Sequence, residues 1–80
     1  MTREEVVQKL QDIFRDVFDD DSIVLFDEMT SEDVEDWDSL SHINLINDIE
    51  AKFNISFTTE DIIVAKNVGE FIAQIHKKVG

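Results

Sequence analysis

Apolar residues recur at three- and four-residue spacing through most of this chain. Val6, Val7, Leu10, Ile13, Phe14, Val17 and Phe18 form one stripe, which predicts an amphipathic first helix of about four turns. Thr2 and Glu5 hold the T-x-x-E spacing of a capping box before it. Arg3, Lys9, Gln11, Asp12 and Arg15 occupy its other face. A second helix is predicted from about Ser39 to Phe53. Wound at about 100° per residue, its Leu45, Ile46, Ile49 and Phe53 gather on a core face. Leu40 and Ile43 fall opposite, beside Asn44 and Asn47. Asp38 or Ser39 would cap this helix, Trp37 stands where it can staple the start, and Asn54 is a suitable terminator.

Ile55-Ser56-Phe57 then link to a short third helix, capped by Thr58 or Thr59 and containing Ile62, Ile63 and Ala65. Asn67 and Glu70 repeat the capping spacing before a last stripe of Val68, Phe71, Ile72, Ile75 and Val79. Lys77 and Lys78 suit the C-terminal end of that helix. Helices with one apolar stripe each bury those stripes against one another. The expectation is an all-α four-helix bundle, three helices long and the third short, in a single domain over residues 1–80. With no proline, and glycine only at positions 69 and 80, no linker or domain break is expected.

The first connection is the exception to the helical pattern. Asp19-Asp20-Asp21 ends the first helix, and Asp27, Glu28, Glu32, Asp33, Glu35 and Asp36 follow. Ile23, Val24, Leu25 and Phe26 interrupt the acids, and no second strand exists to pair with them. They predict a long loop anchored by apolar residues over the core, with a helical turn near Ser31 to Val34. Loops this long in small domains tend to be functional. The acids lack the D-x-D-x-D-G order and terminal Glu of a calcium loop, so a solvated acidic loop is favoured over a weak divalent site.

Charge changes the picture of partners. Nineteen acidic against seven basic residues in 80 give a formal net charge of −12. Such a chain repels nucleic acid and anionic membrane and is steered towards basic surfaces. It also contains no cysteine, so disulfides, thiolate metal sites and cysteine nucleophiles are excluded. No apolar run approaches the roughly 20 residues of a membrane span. The charged N-terminal segment lacks the apolar core of a signal peptide, and a cytoplasmic monomer is expected.

Candidate chemistry centres on Ser39. It sits where helix amide groups and the helix dipole favour a phosphate, although Asp38 beside it discourages a free anion. Leu40 and Ile43 form an exposed apolar pair next to it, which suggests a docking surface. His42 lies three residues on and within reach of Ser39, but no group to orient the imidazole and no oxyanion hole is evident. His76 sits in a lysine-flanked, solvated turn. No catalytic residue and no metal ligand is assigned.

Asp38-Ser39-Leu40 preceded by Trp37, the helix to Phe53, the Asn54-Ile55 link and the spacing to Val68 and Phe71 resemble acyl carrier proteins over essentially the whole chain. The resemblance implies that a separate phosphopantetheinyl transferase attaches 4′-phosphopantetheine from coenzyme A to Ser39, with Asp38 and Leu40 flanking the site. It implies a non-catalytic carrier that presents acyl or aminoacyl thioesters to ligases, transferases and synthases with basic docking patches. Leu40, Ser41, Ile43, Asn44, Asn47 and Glu50 would contact those partners. Leu45, Ile46 and Ile49 read as core packing, though fatty-acid carriers imply an acyl cavity bordered by such residues.

The chain departs from the fatty-acid pattern where Ser41 and Asn44 replace commonly acidic positions and Thr58 replaces a common proline. Asp48 and Glu50 keep their charge. The thinner acidic stripe favours a discrete carrier for a specialised pathway of polyketide or nonribosomal peptide type. The alternative is an acidic helical adaptor without a prosthetic group, in which Ser39 is only a capping residue.

Overall fold

In the computed structural model, which describes residues 1–34 and 36–79, four helices follow one another: α1 (Arg3–Val17), α2 (Ser39–Phe53), α3 (Thr59–Val64) and α4 (Val68–Val79). Glu35 of the acidic run and Gly80 lie outside the described residues. No strand occurs among the described residues, and the all-α bundle read from periodicity is the observed one. Ala65, expected inside α3, is instead its C-cap.

Each helix start is satisfied by a specific partner. Thr2 and Glu5 form the reciprocal box at α1, with Glu5 N–H donating to Thr2 Oγ1 at 3.2 Å and Thr2 N–H to Glu5 Oε1 at 3.1 Å. Thr58, not Thr59, caps α3, in a box with Asp61. At α4 the box slips by one residue. Glu70 N–H donates to Asn67 Oδ1 at 2.8 Å, but the Glu70 carboxylate takes the Lys66 amide at 2.7 Å. Asn54 ends α2 in the left-handed region, φ 55° and ψ 51°, a conformation asparagine tolerates better than most residues.

The core sits where α1 packs on α2 and α4. Val6, Leu10 and Phe14 of α1 meet Leu45 and Ile49 of α2 and Val68, Phe71, Ile72 and Ile75 of α4, all buried. The first connection closes one end of this core. Its own Ile23, Met29, Val34 and Trp37 are buried. Of the apolar segment expected to anchor the loop, only part does so. Ile23 is buried and Leu25 half-buried, whereas Val24 and Phe26 face outward. Polar side chains of α1 supply the remaining anchorage: Arg15 Nε donates to the Ile23 carbonyl at 2.8 Å, and Leu25 N–H donates to Gln11 Oε1 at 3.1 Å. Ser31 to Val34 form a turn rather than a helix. Among the described residues no helix is long and apolar enough to cross a membrane.

Candidate functional site at the start of α2

Asp38 is the N-cap of α2, which puts Ser39 at the first helical position. One Asp38 carboxylate oxygen accepts from the Leu40 and Ser41 amides, each at 3.0 Å. Ser41 closes the box in return. Its Oγ accepts from Asp38 N–H at 2.8 Å and stands 2.8 Å from the Asp36 carbonyl, the nearest acceptor for its single proton. The Ser41 amide, with Leu40 adding to it, holds the Asp38 carboxyl below the usual aspartate range.

This box uses the Leu40 and Ser41 amides, which would otherwise be open to an anion, and it does so without the Ser39 side chain. The Ser39 side chain is exposed, and among the described residues its Oγ has no hydrogen-bond partner. A hydroxyl is thus held out at the helix start, fixed in place by its neighbours and not engaged by them.

Trp37 fixes the other side of the site. Its buried ring packs edge-on to Phe14, with centroids 5.3 Å apart and planes at 86°. Its Nε1–H donates to His42 Nδ1 at 3.1 Å. The two rings are nearly coplanar, 20° apart, with centroids separated by 6.1 Å, so they meet edge to edge through this bond and not face to face. Trp37 and His42 are the N′ and N4 positions that a hydrophobic staple joins. Partial burial lowers the His42 pKa.

An open depression of about 490 Å³ lies beside the serine, lined by Ser31, Trp37, Asp38, Ser39, His42 and Ile43. A smaller one, about 300 Å³, separates α2 from α3 and is bordered by His42, Ile43, Ile46, Asn47, Glu50, Phe57 and Ile62. Of the residues considered as a cavity border, only Ile46 reaches it; Leu45 and Ile49 are fully buried in the core.

The structure sorts the residues expected to contact partners into two groups. Leu40 is 75% exposed and Ile43 58%, and Asn44 and Asn47 share their exposed face. Ser41 is drawn into the cap, and Glu50 Oε2 accepts from the Phe57 amide at 2.8 Å. The cap role of Ser41 was legible as D-x-x-S spacing but is masked when the position is read only as a lost charge. Ile63 on α3, 69% exposed, is a further outward apolar residue that the short α3 pattern did not single out.

A four-helix bundle whose long first connection leads to a serine held at the N-terminus of its second helix is the architecture of a carrier domain. No family model matches the chain, and no curated protein does. Among solved structures, the chain matches the solution NMR structure of the holo acyl carrier protein from Geobacter metallireducens, with 44% identity and a TM-score of 0.89 over 92% of this chain and 85% of that one. This chain belongs to the acyl carrier protein family.

Proposed function

We propose that Ser39 is the attachment point for 4′-phosphopantetheine, and that the protein carries acyl or aminoacyl groups as thioesters on that arm. The observation that carries this reading is the exposed Ser39 hydroxyl, left without a partner among the described residues while Asp38 and Ser41 cap α2 around it. The donor set fits a tethered phosphodiester better than a free anion. The Leu40 and Ser41 amides are already spent on Asp38, which leaves fewer donors for a free anion and favours a phosphate held by a covalent bond.

The chain's own residues position Ser39 and do not activate it. The indole N–H can only donate, so His42 Nδ1 accepts from Trp37 and the one remaining nitrogen carries the proton of the neutral ring. That nitrogen offers no lone pair to deprotonate Ser39, which argues against the pair as nucleophile and base. A separate transferase would supply the base. Ser39 Oγ would then form the new O–P bond as the pyrophosphate bond of coenzyme A breaks and adenosine 3′,5′-bisphosphate leaves. Once attached, the group supplies the thiol that a cysteine-free chain lacks.

Leu40 and Ile43, with Asn44 and Asn47, form the docking face for that transferase and for later enzymes, and the net charge of −12 draws in partners with basic surfaces. Uncharged side chains dominate this face, and Glu50 directs one carboxylate oxygen to the Phe57 amide. This supports a discrete carrier for a specialised pathway of polyketide or nonribosomal peptide type, working in the cytoplasm as a monomer. Intact-protein mass after incubation with coenzyme A and a broad-specificity phosphopantetheinyl transferase tests the assignment. Wild type is expected to gain one phosphopantetheine group and Ser39→Ala none. A folded wild type that gains nothing would leave the helical adaptor as the better reading.

A further inference from the structure

His42 lines the depression beside Ser39 with its chemistry already decided by Trp37. The 3.1 Å bond from Trp37 Nε1 makes Nδ1 an acceptor and leaves the neutral imidazole with its proton on Nε2. No acceptor for Nε2 is found among the described residues. No buried side-chain nitrogen or oxygen among them lacks a partner either, so Nε2 opens to solvent. Ser39 and His42 lie one helical turn apart, at the i and i+3 positions that face each other, and both border the same depression.

Among the described residues no group around the ring takes this N–H. Trp37 covers one edge, and Phe71 of α4 packs at a centroid distance of 5.8 Å. Asp38, on the Ser39 side, directs its Oδ1 to the Leu40 and Ser41 amides. Glu50 and Phe57 border the ring's other side across the smaller depression, where Glu50 accepts from the Phe57 amide.

We infer that His42 is an anchoring donor for the prosthetic arm: its Nε2–H, set by the Trp37 bond, donates to a phosphodiester oxygen on Ser39 and holds the root of the arm against the Trp37 side of α2. The inference rests on the carrier reading and adds a residue to it. A charge-assisted bond of this kind is stronger than a neutral one, and protonation of His42 would strengthen it further while breaking the bond from Trp37. A phosphodiester anion beside the ring favours the imidazolium, so loading Ser39 raises the His42 pKa.

NMR titration of both histidines in the unloaded and loaded protein tests this, with loading verified by intact mass. The His42 midpoint is expected to move up on loading while exposed His76 stays in place. Long-range ¹H–¹⁵N spectra above the midpoint should show the Nε2–H tautomer. The ³¹P resonance of the loaded protein should follow the His42 midpoint, and in His42→Gln, which keeps a donor but does not titrate, that inflection should vanish. An unmoved His42 midpoint, an equal movement of His76, or an Nδ1–H tautomer would overturn the assignment while leaving Ser39 as the attachment point. Failure to gain mass would remove the carrier reading itself.

Discussion

The Gly69 amide donates to the Asp27 carbonyl at 2.9 Å, and a β-carbon at Gly69 would stand 3.0 Å from that same oxygen. Val68 N–H makes the matching bond to the Met29 carbonyl at 2.9 Å. The acidic connection thus supplies acceptors for the first amides of α4, which would otherwise be unsatisfied. Alanine for a helical glycine ordinarily gains about 0.5–1 kcal/mol. Here the added methyl meets Asp27 backbone and Cβ at 3.0–3.2 Å, and moving backbone costs more than propensity returns. Gly69→Ala is expected to destabilise by about 1–2 kcal/mol, as overpacking does, read as a lower urea midpoint with an unchanged slope. A gain in stability would show that the loop shifts freely.

Leu40 and Leu45 lie five positions apart on α2 and should behave oppositely. Leu40 is exposed and Leu45 fully buried. Leu45→Ala opens a cavity and should cost about 2–5 kcal/mol. Leu40→Ala should change stability by less than about 0.5 kcal/mol yet lower the transferase's kcat/KM by roughly tenfold, the size of a lost interface anchor. Equal loading of Leu40→Ala and wild type would remove Leu40 from the docking surface.

What the sequence made legible follows from how local each cause is. The two faces of α2 follow from helical period alone, so Leu40, Ile43, Leu45 and Ile49 could be sorted in advance. The boxes at Thr2 and Thr58 need only i to i+3 geometry. The staple position of Trp37 was equally local, but its hydrogen bond to His42 depends on how the indole is turned by packing against Phe14. The α4 start was less accessible still: its acceptors, Asp27 and Met29, come from about forty residues earlier in the chain. The outward turn of Val24 and Phe26 arises because Ile23 and Leu25 are pinned through Arg15 and Gln11, a tertiary cause that apolar composition does not reveal.

Two groups at the start of α2 should give successive acid losses. The folded pKa of His42 lies below its ordinary value, so the unfolded chain binds the proton more readily. The stability this contributes is present above the unfolded value of about 6.5 and is lost as pH falls through the folded one. Asp38 is also lowered. Its contribution is present above about pH 4, the unfolded carboxyl value, and is lost at lower pH as the folded group protonates. His42→Gln should remove the first loss. Asp38→Asn keeps a capping side chain but cannot ionise, so its stability deficit relative to wild type should shrink through the second window. Parallel pH profiles for wild type and both variants would contradict these assignments.

Salt should stabilise this protein despite weakening its ion pairs. Arg3 pairs with Asp27 at 2.9 Å with both side chains more than half exposed, and Lys78 pairs with Asp61 at 3.0 Å. Screening costs little at such surface pairs. Against them stands the mutual repulsion of nineteen acids with seven bases to offset it, which acts over the whole molecule at low salt. Raising ionic strength from about 0.01 to 0.15 M shortens the Debye length from about 30 to 8 Å, less than the molecule's 22 Å shortest extent. The Tm should therefore climb across that range and flatten above it. The acids of the first connection lack the residue order of a calcium loop, so calcium is expected to act mainly as a screening ion. Calorimetric titration with calcium should show no stoichiometric micromolar site. A one-to-one micromolar isotherm, lost when Asp19, Asp20 and Asp21 are changed to Asn, would instead make the acidic connection an ion-binding loop.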